Sequence, residues 1–280
     1  MDIGIFPDLL KIAKVHPIYK SGDRDQFINY RPISVLNSFS KVFEKVIFNR
    51  LLNYINSQNI ISHCQYGFRQ NQATFMAITE MYDKISLAID RNEYCAGIFI
   101  DLAKAFDTLD HNILLFKLEY YGIRGITLTW FRSYLECRQQ YVTFYHTSSA
   151  LEYISYGVPQ GSILGPLLFI LYVNDIVNCS SILNSILFAD DTNAFYSNAK
   201  FINLISTLNV ELSKLSNWFK SNKLSINIKK TNYILFGNKH APEKTPELTL
   251  YIHGNEIERV ESTKFLGVYL DKKTKLERSC

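Results

Sequence analysis

The segment Ser185-Ile186-Leu187-Phe188-Ala189-Asp190-Asp191-Thr192-Asn193-Ala194-Phe195-Tyr196 sets two adjacent carboxylates between two short apolar runs. Such runs on either side of a polar pair read as strands joined by a tight turn, which puts both acids at the tip of a hairpin. Fixing two carboxylates side by side is unfavourable unless positive charge shares the site, and divalent cations are the usual partner. A solvated Asp-Asp turn accounts for the same residues, because Asp is common in turns. On this segment alone both readings stand.

Upstream, Ala96-Gly97-Ile98-Phe99-Ile100 runs into Asp101 and continues as Leu102-Ala103-Lys104-Ala105-Phe106-Asp107-Thr108-Leu109-Asp110-His111. An apolar run ending in an acid reads as a buried strand with its carboxylate on the rim of a sheet. Asp101 and Asp190 are distant in the chain, yet two rim positions of one sheet can meet in space. Three carboxylates suffice for two metals. A pair of Mg²⁺ ions about 3.5 to 4 Å apart stabilises both the attacking and the leaving oxygen of a phosphoryl transfer.

Between these acidic segments lies Gly157-Val158-Pro159-Gln160-Gly161-Ser162-Ile163-Leu164-Gly165-Pro166-Leu167-Leu168. Its glycines permit close approach of backbone or ligand, and a helix beginning near Pro166 suits proline's preference for a first turn. Gln160 adds a neutral hydrogen-bonding group. Taken alone, an ordinary Pro-Gly turn before a buried helix explains the segment.

The chain's 280 residues, 47% hydrophobic and 14% aromatic, support a substantial core in one large domain or two to three subdomains. Cys64, Cys95, Cys137, Cys179 and Cys280 are odd in number and lack zinc-type spacing, so free thiols in a reducing compartment are expected. His16, His63, His146 and His253 likewise show no ligand spacing. The longest apolar stretch, Ile163 to Val173, is interrupted by Gly165 and Pro166 and falls short of the ~20 residues a membrane span needs, so no membrane partner is expected. Residues 1–198 hold 16 Lys/Arg against 18 Asp/Glu, whereas 199–280 hold 14 against 8. The basic excess, with Lys220/Lys223, Lys229-Lys230 and Lys272-Lys273-Thr274-Lys275, suits either phosphate neutralisation or a solvated lysine-rich face.

Periodicity reads as mixed α/β. Leu36, Phe39, Val42, Phe43, Val46, Ile47, Leu51 and Tyr54 recur at helical spacing, as do Ala77, Met81, Ile85, Ala88 and Ile89, and then Leu204, Leu208, Leu212, Leu215 and Phe219. All three stripes read as amphipathic helices on a core. Asn232 to Gly237 reads as a strand closed by a turn, and Leu248–Ile252 and Ser262–Leu270 as further strands.

In combination these blocks resemble, nearly end to end, the reverse transcriptase domain of non-LTR (LINE-type) retrotransposons. Ile12 to Asp23, Asn29-Tyr30-Arg31-Pro32-Ile33-Ser34 and Gln65-Tyr66-Gly67-Phe68-Arg69 resemble its fingers segments. Asp101 to His111 resembles polymerase motif A, Gly157 to Leu168 motif B, Phe188 to Asp191 motif C, Lys223 to Phe236 motif D, and Lys264-Phe265-Leu266-Gly267 motif E. The resemblance implies an α+β fold of right-hand polymerase architecture: helical and β fingers over 1–95, and a palm over 96–270 with an antiparallel sheet packed by helices. It further implies a fingers-like insertion at about 112–155, and a thumb that is largely missing, its connection starting in 271–280.

Roles follow from the same resemblance. Asp101, Asp190 and Asp191 would be the catalytic, metal-holding acids, with two Mg²⁺ ions, or Mn²⁺, as cofactors. Phe106 would lie under the incoming sugar and disfavour a 2′-hydroxyl, while Gln160 and Gly161 would line the nucleotide pocket. Arg69 would meet a triphosphate oxygen and Lys230 would assist the leaving pyrophosphate. Asp107, Asp110 and His111 are expected to hold the helix after motif A and to stay outside catalysis. The implied function is RNA-directed DNA polymerisation, with an RNA template, a DNA primer and deoxynucleoside triphosphates as partners, inside the cell in cytoplasm or nucleus. The alternative is an inactive or incomplete reverse transcriptase fragment that only binds RNA. A nucleotidyl cyclase or two-metal phosphohydrolase leaves the motif B block unexplained.

Overall fold

The structure, a computed structural model, describes residues 4–237, 248–272 and the backbone of 276–278. In chain order the elements are β1 (Ile12–Tyr19), β2 (Tyr30–Leu36), α1 (Ser38–Ser57), α2 (Thr74–Asp90), β3 (Tyr94–Ile100), α3 (His111–Tyr120) and α4 (Gly125–Leu135). There follow β4 (Arg138–Phe144), β5 (Thr147–Ser148), β6 (Glu152–Ile154), α5 (Gly165–Val173), β7 (Asn184–Phe188), β8 (Asp191–Asn198), α6 (Phe201–Ser221) and β9 (Asn232–Phe236). Short strands close the chain: β10 (Tyr251–Ile252), β11 (Asn255–Glu256), β12 (Glu258–Arg259), β13 (Ser262–Phe265), β14 (Val268–Asp271) and β15 (Leu276–Arg278). They form two compact units, one of residues 1–61 and 104–173, the other of 62–103 and 174–280.

The second unit is built on a sheet of order β12-β9-β3-β8-β7, in which β3 pairs antiparallel with both β8 and β9. A central strand is covered on both faces, which is why Cys95 to Ile100 is apolar without alternation. Cys95 and Phe99 join Ala77, Met81, Ile85 and Ala88 of α2 in one core cluster with Ile186, Phe195, Ile234 and Phe236. The pleat turns Ala96, Ile98 and Ile100 to the opposite face, and α6 also packs on β3 and β8. The antiparallel sheet packed by helices is thus present, and the stripes read for α2 and α6 are the buried ones, Ile89 being half-buried.

In the first unit β1 pairs antiparallel with β2 and parallel with β4, and β4 in turn carries β5 and β6. The helix after β2 departs from its expected stripe. Leu36 ends β2, Asn37 caps the helix by accepting from the Phe39 amide at 2.9 Å, and Phe39, Val42 and Val46 are 70%, 60% and 40% exposed. The buried stripe is Ser40, Glu44, Ile47, Leu51 and Ile55. Burying a carboxylate is costly unless it is hydrogen-bonded. Glu44 accepts from the Tyr134 hydroxyl at 2.9 Å and from the Ile163 amide at 2.6 Å, which lets the charged residue displace apolar ones from the inner face.

Two strand expectations are also corrected. Leu248–Ile252 contributes just Tyr251–Ile252 to a strand, paired with Asn255–Glu256. Ser262–Leu270 is a hairpin rather than one strand, because Leu266 and Gly267 reverse the chain at φ 47° and 89°, the left-handed pair that two-residue hairpins favour. No described helix is long and apolar enough to cross a membrane. Cys64, Cys95, Cys137 and Cys179 are free thiols. Cys280, Lys273 and Lys275 lie outside the described residues.

Candidate active site

Hairpin register decides where the acids stand. Phe188 pairs with Asp191 across the β7–β8 turn, leaving Ala189 and Asp190 as its two central residues. Ile100 pairs with Thr192, so continuing that antiparallel register by one step sets Asp101 opposite Asp191. Rim positions of β3 and β8 therefore bring the three acids of the second unit together, as the apolar run into Asp101 suggests. Asp190 and Asp191 are exposed and Asp101 is half-buried.

Their mutual influence shows in Asp191. Surrounding protein that keeps water away, then the negative charges of Asp190 and Asp101, push its carboxyl up from 3.8 to about 6. Three carboxylates of one charge on one rim form a hard-oxygen donor set in want of cations. No group of three His, Cys, Asp or Glu among the described residues forms a ready-made metal cage. Mg²⁺ in general takes one or two carboxylates and completes its shell with water and phosphate oxygens. Carboxylate oxygens are the donor type that a hard divalent cation takes.

The raised Asp191 value fixes the sign of a pH effect. Below about pH 4 the carboxyl is protonated both folded and unfolded, and costs nothing. Between about 4 and 6 the folded state resists ionisation that the unfolded chain accepts, so stability falls as pH rises, and above about 6 the penalty is complete. Asp191→Asn should therefore melt higher than the parent in chelator at pH 7.5, with the difference vanishing towards pH 4. Equal melting temperatures at both pH values would remove the repulsion.

Two loops fasten this rim. Asn227 donates its amide to the Asp101 carbonyl at 2.8 Å, and the Asp101 amide donates to Thr231 Oγ1 at 3.3 Å. Exposed Lys230 sits on that 227–231 turn. On the hairpin side Tyr66 donates to the Leu187 carbonyl, and Leu187 to that of Cys64, both at 2.8 Å. Arg69 is half-buried and braces the same loop, its Nη1 donating to the carbonyls of Ser62 at 3.0 Å and Gln65 at 3.2 Å. Nε and Nη2 retain three of the five guanidinium donors.

Phe106, Gln160 and Gly161 belong to the first unit. Phe106 stacks on Phe169 with centroids 4.6 Å apart at 30°, and its carbonyl accepts from the Val158 amide at 2.9 Å. Gln160 Nε2 donates to Asp107 Oδ1 at 2.8 Å, while the Gln160 carbonyl accepts from the Ser34 amide at 2.7 Å. Burial raises the Asp107 carboxyl, against the lowering effects of Gln160 and Lys104. Asp110 caps α3 by accepting from the Asn112 and Ile113 amides at 3.0 Å, and His111 Nε2 donates to the Gly157 carbonyl at 2.7 Å. Both therefore hold the chain after Phe106, as expected.

Sequence reasoning missed what lies under the Gln160–Ile163 loop. Glu44 holds the Ile163 amide, and Tyr134 remains a donor to Glu44 because burial and then the Glu44 charge drive its hydroxyl far upward. Fully buried Arg138 stands 4.9 Å over the Tyr134 ring and donates to the Tyr134 carbonyl at 3.1 Å. A cavity of about 690 Å³ beside α1, lined by residues such as Ile47, Tyr54, Ile123 and Trp130, contains none of the candidate residues.

The second unit thus sets three acids on one rim of an antiparallel sheet packed by helices, and the first unit carries a Pro-Gly-bounded loop before a buried helix. Residues 18–270 match the model of the reverse transcriptase (RNA-dependent DNA polymerase) family, and the chain belongs to that family. It is 33% identical over 279 residues to a probable RNA-directed DNA polymerase from transposon X-element of Drosophila melanogaster, covering 96% of this chain and 30% of the relative. A probable RNA-directed DNA polymerase from transposon BS of the same fly is 32% identical, with 97% and 30% covered. These relatives bear out the non-LTR retrotransposon resemblance, and the chain spans about 30% of their length. A telomerase from Candida tropicalis, solved with a TWJ fragment of telomeric RNA, matches in fold with a TM-score of 0.65 at 12% identity, covering 96% of this chain and 45% of that one.

Proposed function

We propose that this chain carries the RNA-directed DNA polymerase activity of a non-LTR retrotransposon protein, joining deoxynucleotides to a primer 3′-hydroxyl on an RNA template. The observation that carries the reading is the shared rim of Asp101, Asp190 and Asp191 in a chain of this family. Asp101, Asp190 and Asp191 would hold two divalent cations, Mg²⁺ or Mn²⁺, which when bound activate the primer oxygen and neutralise the triphosphate. Asp191 must give up its proton to serve as a ligand, so cation binding should release protons near pH 6. Arg69 would offer its remaining donors to a triphosphate oxygen, and Lys230 its charge to the leaving pyrophosphate.

The fingers, palm and insertion assignments (1–95, 96–270, about 112–155) and the thumb connection at 271–280 belong to this reading. So do the nucleotide-pocket roles of Gln160 and Gly161. Phe106, backed by Phe169, presents a ring with little freedom to yield, which suits a filter against a 2′-hydroxyl. Phe106→Ala should lower discrimination against ribonucleotides by about 10- to 100-fold, the scale on which pockets distinguish small groups. Unchanged ratios of kcat/KM for deoxy- and ribonucleotides would remove that role.

The test is extension of a DNA primer on an RNA template by the purified chain, with Mg²⁺ or Mn²⁺ present or all divalent metal chelated. Metal-dependent extension is expected. Template–primer binding that weakens with salt, with no incorporation under either metal, would favour the RNA-binding alternative.

A further inference from the structure

The turn that carries Asp190 is not self-supporting. Ala189 has φ 57°, a left-handed value that costs energy in a residue with a Cβ, and its amide is a central donor of the turn. That amide donates to Oε1 of Gln65 at 3.1 Å, and the Gly67 amide donates to the same oxygen at 2.8 Å. Gln65 is 1% exposed and comes from a loop 124 positions earlier in the chain. The backbones meet closely: a Cβ on Gly67 would lie 2.2 Å from the Ala189 nitrogen and 2.9 Å from the Phe188 carbonyl carbon. The other end of the amide, Gln65 Nε2, is buried without a hydrogen-bond partner. A leucine would fill this space without an orphaned NH₂, so the accepting oxygen is what glutamine contributes here.

We propose that Gln65 is a positioning residue for the reaction, which clamps Ala189 through one carbonyl oxygen and so fixes the direction of the adjacent Asp190 carboxylate. The inference rests on the reading of Asp190 as a metal-holding acid. Partners that orient metal-ligating groups matter to function although they touch neither metal nor substrate; losing one typically costs about 10- to 100-fold in metal affinity or activity.

Gln65→Leu removes the acceptor at nearly constant volume, Gln65→Glu keeps an accepting oxygen, and Met81→Ala serves as a destabilised control in the same unit's core. Three quantities are read well below all melting temperatures: protection of the Ala189 amide against hydrogen exchange, Mn²⁺ affinity by calorimetry, and kcat and KM for primer extension. Gln65→Leu should lose at least tenfold in amide protection and about 10- to 100-fold in Mn²⁺ affinity and kcat, with KM for the deoxynucleotide within about twofold. Gln65→Glu should keep the amide protection, and Met81→Ala should keep kcat. Parental protection and Mn²⁺ affinity in Gln65→Leu, or an equal loss of kcat in Met81→Ala, would overturn the proposal. Should the parent chain fail to extend any primer, the polymerase reading falls, while amide protection and Mn²⁺ affinity still decide the role of Gln65.

Discussion

Asp190→Asn should abolish primer extension and leave the protein folded. The substitution keeps size and one carbonyl oxygen but removes the charge from the tip of the β7–β8 hairpin, where Asp190 is exposed and its neighbours are Asp191 and, across the sheet, Asp101. Losing several kcal/mol of charge stabilisation at the reacting phosphate corresponds to at least about a thousandfold in rate, at 1.36 kcal/mol per decade. Stability should move the other way or not at all, because the variant relieves one of the charges that hold the Asp191 carboxyl up at about 6. Rate and melting temperature measured on one preparation therefore separate chemistry from folding. A variant that extends primers at the parental rate would sink the two-metal assignment, and one that fails to fold would show Asp190 to be structural.

The acids were legible because each sits where a local pattern ends. The apolar run Ala96–Ile100 needs no partner to be recognised as a strand, and two apolar runs around Asp190-Asp191 declare their own hairpin. What was not legible rests on contacts distant in the chain. Nothing around Glu44 marks it for burial. Its acceptors are filled by Tyr134 and Ile163, 90 and 119 positions away, and without them the exposed Phe39, Val42 and Val46 look like the inner face. Gln65 is likewise a polar loop residue until the Ala189 amide reaches it. The hairpin of β13 and β14 was hidden for a different reason: alternation continues through Leu266-Gly267, and the reversal there is set by backbone dihedrals that a hydrophobic pattern does not carry.

Gly161→Ala should be among the most damaging single-methyl additions in the first unit. Gly161 has φ +125°, outside the small left-handed region that other residues visit, and its added Cβ would lie 2.4 Å from the Ser34 carbonyl oxygen. The clash is with backbone, so no side chain can swing aside. Strain at such a φ costs about 1 to 3 kcal/mol, and forcing atoms into a packed site a further 1 to 3 kcal/mol or so. A fall in melting temperature of roughly 4 to 24 °C would follow at about 2 to 4 °C per kcal/mol. Any relief must come from moving the loop off β2. That breaks the Ser34–Gln160 backbone bond and takes the Gln160 amide away from Asp107, so KM for the deoxynucleotide should rise in whatever folded protein remains. Gly125→Ala is the matched control, since Gly125 also has positive φ, at +59°, but its added Cβ would meet nothing within 4 Å. It should cost about 1 kcal/mol and leave KM alone. If both variants melt together and bind nucleotide like the parent, the contact between Gly161 and Ser34 contributes neither stability nor placement of Gln160.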